Sequence, residues 1–225
     1  MPVRYQGVEH PSTASERVIV YVDGYNVYHG LCDKQWRRYL WLDYRRLFER
    51  ELRSEQTLVA VNYFTALGRK QSPESTERQQ QYLAALEAHG GVNVIPAGKF
   101  KMRPWRCEAC GHTRQRPQEK MTDVAIAVQL TADAHADAFD TAWLMCADAD
   151  LIPAVRYVAA TFPDKVLVVL PPRGRRSDDL IAAVGRKRDI GRSRHAQAQL
   201  PDVVLAADGK LLRRPAEWGP ATIST

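Results

Sequence analysis

Five short apolar runs, Val18 to Val22, Leu58 to Phe64, Val92 to Ile95, Ala142 to Cys146 and Val166 to Leu170, punctuate this chain, and helical patterns fill the intervals between them. Runs so short and so continuously apolar read as strands buried on both faces. Strands that alternate with helices build a mostly parallel sheet with helices over both faces. Tyr44, Leu47, Phe48 and Leu52 recur at helical spacing, as do Tyr82, Leu83 and Leu86 within residues 74–89, a helix that Gly90-Gly91 closes. A further helix starts near Lys120, with Asp123, Ile126, Ala127, Leu130 and Ala134 on one face. Another follows Asp150, since Pro153 is tolerated in a first turn. The expected order is β-α-α-β-α-β-α-β-α-β, an α/β fold.

The chain of 225 residues is long enough to bury a core without covalent staples, and 45% hydrophobic with 26% charged residues is ordinary globular composition. Residues 17–200 are expected to form one domain, after a flexible arm of residues 1–16. Residues 201–225 are expected to add a hairpin, turning at Asp208-Gly209, and a tail. No apolar run approaches the ~20 residues of a membrane span, so no membrane partner is expected. The arm lacks an apolar core of the secretory kind, which points to the cytosol. A net charge of +6 makes polyanions, nucleic acid first, the leading partner class.

Acidic residues stand where such a sheet places its ligands. One strand runs into Asp23, and another runs into Asp148 and Asp150. In open parallel sheets the carboxyl ends of the strands form the ligand crevice. Asp123 lies near the start of its helix on the apolar face, which points it toward the same rim. Singly, Asp23 or Asp150 reads equally well as a helix N-cap, and Asp123 as first-turn acidity favoured by the helix dipole. Together they would repel unless protons or a cation neutralised them, and oxygen-only ligands favour Mg²⁺ or Mn²⁺. A metal in such a site suits phosphodiester hydrolysis.

The segments YVDGYNVYHGL (21–31), EKMTDVAIAVQLTADA (119–134) and DTAWLMCADADLIPAV (140–155) resemble the NYN domain of the PIN-like nuclease superfamily, over roughly residues 17–200. The resemblance implies a Rossmann-like fold and Mg²⁺- or Mn²⁺-dependent RNA cleavage. It implies Asp23, Asp123 and Asp148 as metal ligands and Asp150 as a ligand or its supporting partner. Asn26 would position water, metal or phosphate, and Lys120 would contact phosphate or moderate the cluster's charge. Nucleases of this general type commonly act as dimers, so a homodimer is one assembly the resemblance allows. Two positions depart from the family pattern: Cys146 and Ala147 stand where Ser-Gly usually precedes the D-x-D. A thiol is a poorer hydrogen-bond donor than a hydroxyl, whereas the Gly-to-Ala change removes no ligand.

Two basic segments are expected as loops. Residues 98–120 hold seven Lys or Arg against two Glu, and residues 173–194 hold eight against three Asp. In the first, Arg103, Trp105 and Arg106 combine cations with a flat ring on which an unpaired base could stack, which suits single-stranded RNA. In the second, Arg173, Arg175 and Arg176 offer phosphate contacts, and Ser177 is a helix N-cap candidate. Cys107, Cys110 and His112 have a zinc-knuckle spacing. A fourth ligand would have to come from His135, His195 or a partner chain, and a pair of unmetallated thiols is the alternative. Three functions fit: a metal-dependent endoribonuclease, a non-catalytic RNA-binding adaptor of the same fold, or a Mg²⁺-dependent small-molecule phosphatase. Two long basic segments favour a polymer substrate over a metabolite.

Overall fold

The computed structural model describes residues 15–33, 35–67 and 73–219, with most of the expected N-terminal arm and the last residues of the expected tail outside that range. Strand β1 (Glu16–Asp23) lies in the middle of a six-stranded sheet. It pairs in parallel with β2 (Gln56–Leu67) on one side and β5 (Thr141–Met145) on the other. Beyond β2 lies β3 (Asn93–Arg106), and beyond β5 lies β6 (Val166–Val169), both parallel to their neighbours. The chain thus builds outward from β1 in one direction and then returns to build in the other. That reversal makes the carboxyl ends of β1 and β5 a topological switch point, where a crevice opens.

The central strand explains the two-layered core. Val18, Val20 and Val22 point to one face, Ile19 and Tyr21 to the other, and all are 0–4% exposed. The valine face is covered by α1 (Gly24–Leu31), α2 (Tyr44–Glu49) and α3 (Pro73–His89), through Leu31, Leu47, Phe48, Tyr82 and Leu86. The opposite face is covered by α4 (Thr122–His135), α5 (Ile152–Thr161) and α6 (Asp178–Val184), through Ile126, Leu130, Val155, Val158 and Leu180. Each such aliphatic side chain stabilises the fold by about 1.5–3 kcal/mol on burial. Gly90, at φ +84° beyond α3, supplies the left-handed turn expected of its closing glycines. Among the described residues no helix is long and apolar enough to cross a membrane.

Two segments expected as loops are ordered structure. Residues 98–120 form the end of β3 and an antiparallel partner β4 (Thr113–Lys120), in register from Lys99 opposite Lys120 to Arg106 opposite Thr113. The reason is the alternation of Lys99, Lys101 and Arg103 with Phe100, Met102 and Pro104, a period of two that the density of charge obscures. β4 is a sheet edge, where the charges of Arg114 and Lys120 discourage further pairing. Residues 173–194 contain α6 and the start of α7 (Arg192–Gln197). Ser177 caps α6 by accepting from the Leu180 amide at 3.2 Å, and Gly185, at φ +72°, ends it. The short hairpin β7 (Val203–Leu205) and β8 (Leu211–Arg213) turns through Gly209 at φ +83° and tucks Val204 and Leu212 into the valine-face core.

Candidate active site

Asp23 is the last residue of β1 and the N-cap of α1. Its carboxylate accepts from the Asn26 backbone amide at 2.9 Å and from the Asn26 side-chain amide. The tight strand-to-helix turn depends on Gly24: a Cβ there would lie 2.5 Å from the Tyr63 ring and 2.8 Å from the Phe64 carbonyl. Asp23 is 4% exposed. Burial pushes its pKa above the ordinary carboxylate value; the Asn26 hydrogen bonds oppose that rise, and the nearby charge of Asp148 adds to it. Cys146, fully buried just after β5, is kept a neutral thiol chiefly by burial, with the charges of Asp23 and Asp148 raising its pKa further.

Asp148 follows β5 and caps the 3-10 turn Ala149–Leu151, accepting from the Asp150 amide at 3.0 Å. Asp123 arrives from another direction, in the first turn of α4. The chain reaches it through Met121, whose φ of +84° is uncommon for a non-glycine residue and sits beside the acidic group. Buried Thr122 donates to Glu119, and Gly98 of β3 makes room for its hydroxyl, since a Cβ there would lie 2.2 Å away. Ligand atoms of Asp123, Asp148 and Asp150 thereby come within 4.8 Å of one another. Asp123 and Asp148 are half-buried and Asp150 is exposed, and no described Lys or Arg forms an ion pair with any of the three. An oxygen-only, uncompensated trio fits a hard divalent cation.

The four-carboxylate cluster expected from the sequence is therefore three plus one. Asp23 stays outside the converging trio, held inside the fold by Asn26 and coupled to Asp148 through charge. N-capping and clustering, weighed as rivals, coexist: Asp23 and Asp148 do cap helical turns, whereas Asp150 lies within one. Glu119 is the acidic residue that sequence reasoning passed over. Its charge acts on Tyr25 and Tyr63, the two rings that Asp23 also influences. The signal was the EKMTD segment itself, but only a strand at β4 tells which way Glu119 faces.

The basic residues fall in two places. Arg103, Trp105 and Arg106 are exposed on the outer part of the β3–β4 hairpin, with the Arg114 guanidinium 5.0 Å from the Trp105 ring centre. Lys120 ends β4 opposite Lys99. Arg173, Arg175 and Arg176 lie after β6, lining a cleft on the other side of α1. At the hairpin tip the Cys107 amide donates to the His112 carbonyl at 2.8 Å, and Gly111 donates back to Cys107 at 2.8 Å. Among the described residues the potential metal ligands that converge in a group of three or more are Asp123, Asp148 and Asp150; Cys107, Cys110 and His112 form no such group. The proposed fourth ligands are engaged elsewhere, His135 with the Tyr157 hydroxyl at 2.9 Å and His195 with the Gly191 carbonyl at 3.0 Å.

Comparison with known proteins agrees with this architecture. A protein of unknown function from Vibrio parahaemolyticus, VPA0982, shares the fold at a TM-score of 0.55 and 20% identity, covering 81% of this chain and 98% of that one. A Pseudomonas putida protein named 6-hydroxy-3-succinoylpyridine 3-monooxygenase HspA is 26% identical over 238 residues, 90% of this chain and 75% of the relative. The family model described as NYN domain matches residues 17–190, which take in the central sheet but for the first residue of β1 and all three aspartates of the trio, and the chain belongs to that family.

Proposed function

We propose that this protein is a metal-dependent endoribonuclease that hydrolyses phosphodiester bonds of single-stranded RNA. The observation that carries the reading is the convergence of Asp123 from one segment with Asp148 and Asp150 from another, beside buried Asp23 at the sheet's switch point. A Mg²⁺ or Mn²⁺ ion held by that trio supplies activation of water and screening of phosphate charge. The protein's own residues do the positioning. Asn26 fixes both oxygens of Asp23, so the buried carboxylate presents one orientation toward Asp148. The thiol of Cys146, kept neutral, adds no charge of its own. Arg103 and Arg106 attract the RNA backbone from the hairpin, and Trp105 offers a ring for an unpaired base.

The test is incubation of purified protein with unstructured RNA, with and without Mn²⁺, beside Asp148→Asn. Cleavage that needs the ion and disappears in the variant is the expected result. Cleavage indifferent to both would discard the reading, and salt-dependent binding without cleavage would make the protein an RNA-binding adaptor. A second reading is favoured by the name of the Pseudomonas putida relative and by the aromatic recess of Tyr25, Tyr28, Tyr63 and Phe100 beside Glu119: oxidation of a small aromatic compound. Aerobic incubation with 6-hydroxy-3-succinoylpyridine and a reduced nicotinamide separates the two, because a nuclease leaves that compound unchanged.

A further inference from the structure

A cleft of about 450 Å³ opens between α1, the loop after β6 and the start of α7. Its walls include Val27 of α1, the helix that Asp23 caps, and Met145, the last residue of the strand that Asp148 follows, so it opens at the same end of the sheet as the acidic centre. The loop over it is fixed closely. Gly30 of α1 packs so tightly on the Arg173 carbonyl that a Cβ at position 30 would lie 2.3 Å from that oxygen.

Three guanidinium groups line this cleft without a carboxylate partner among the described residues. Those of Arg173 and Arg192 lie 4.6 Å and 5.6 Å from the ring centre of Trp36, which is itself 6% exposed. Arg192 also donates to the Tyr39 hydroxyl at 3.2 Å and the Gln35 carbonyl at 3.3 Å, which fixes its plane. The third, Arg175, has a buried Nε without a hydrogen-bond partner, the kind of group that calls for an acceptor. The remaining charges cancel locally: Asp189 pairs with Lys187 at 2.8 Å and Asp178 with Arg176 at 2.5 Å. His195, against the edge of Trp36, is buried, and that burial disfavours its charged form.

We propose that this cleft binds a terminal phosphate monoester, the phosphorylated end of an RNA strand whose body crosses the acidic centre. The inference rests on the nuclease reading for the identity of the strand. An internal phosphodiester carries one negative charge, whereas a terminal monoester carries about 1.5 to 2 at pH 7 and three oxygens for charge-assisted bonds. Three guanidiniums without carboxylate partners in one concavity match the second, and a flat basic surface such as the hairpin suffices for the first. Binding the end beside the carboxylates sets where along the strand those carboxylates act.

The decisive experiment is equilibrium binding in EDTA, where no metal-dependent cleavage can intervene. Short oligoribonucleotides of one sequence are compared with a terminal phosphate and with a terminal hydroxyl, at each end in turn. The expected result is at least about tenfold tighter binding of the phosphorylated strand. Arg175→Gln and Arg192→Gln should each bring the two toward parity, Arg175→Lys should keep most of the preference, and Arg103→Gln should weaken both strands alike. Circular dichroism confirms that each variant is folded. Equal affinity for both ends, or a preference that survives Arg175→Gln and Arg192→Gln in folded protein, overturns the proposal. Adenosine monophosphate competing as strongly as the phosphorylated strand would also overturn it, since the cleft would then serve a free nucleotide. Because no metal is present, a negative result here is distinct from a failure of RNA cleavage.

Discussion

The acidic rim and the β3–β4 hairpin are both polar and both dense in charge, yet they are built in opposite ways. At the rim, Asp23 is 4% exposed, capped by Asn26 and backed by a buried strand, and Asp123 is delivered by a helix whose entry turn is wedged against Gly98. On the outer hairpin, residues 101–106 are exposed, Trp105 is 37% exposed, and the Arg114 guanidinium lies over its ring. Bond cleavage requires groups held in fixed geometry, because small misplacements weaken every interaction in the site. Attraction of a polyanion requires only charge at the right distance. Under the proposed nuclease function, the contrast assigns chemistry to the rim and capture of the strand to the hairpin.

The sharpest way to break that division is Asp123→Asn, which removes the trio member brought in by tertiary structure alone. Cleavage should fall on the order of 10³-fold while RNA affinity in EDTA stays the same. A loss of affinity without a loss of turnover would place Asp123 outside the chemistry.

Asp23→Asn separates the buried carboxylate from the trio. Its folded pKa lies above its unfolded value, so its contribution to stability is full below about pH 4 and is lost as pH rises through the folded pKa. At neutral pH, without metal, the ionised group therefore opposes folding. The amide variant should melt about 2–4 °C higher than the wild type at pH 7 in EDTA, converge with it near pH 4, and lose activity. A lower melting temperature at pH 7 would mean that Asp23 stabilises the fold in its charged form.

On the hairpin, Arg103→Gln with Arg106→Gln should raise KM about tenfold with kcat nearly unchanged, and should make the salt dependence of binding shallower by about one unit per arginine. A fall in kcat instead would move the hairpin into the site of chemistry. The smallest effect is expected at its tip. Cys107→Ser and Cys110→Ser should each change stability by less than about 0.5 kcal/mol, read as the melting temperature with and without EDTA, because the two thiols and His112 do not converge. A large EDTA-sensitive drop would reveal a zinc site completed from elsewhere.

The element order was legible because it depends on local pattern. The run from Val18 to Val22, the spacing of Ile126 and Leu130, and the glycines after α3 announce their conformations within a few residues. β4 was not legible, since its partner Phe100–Arg106 hides a period of two under charge. α6 was signalled by Ser177 at its N-cap but lost among the basic residues around it. At the site, Asp148 and Asp23 could be placed at strand ends, and Asp123 at a helix start. Glu119 could not be placed without knowing that β4 exists.

What the amino-acid sequence determined by itself was which aspartates end strands or begin helices, and hence that acidity gathers on the carboxyl side of the sheet. What tertiary structure alone decided was which of them meet. The parallel register that sets Val22 beside Met145 levels the ends of β1 and β5, and the turn at Met121 swings α4 over them. The same level of organisation brought Arg173 and Arg192 over Trp36, a residue far from both in the chain, with Arg175 in the same cleft. Periodicity is a property of neighbours along the backbone; the distance between side chains remote in sequence is set by strand order and packing, which no local pattern encodes.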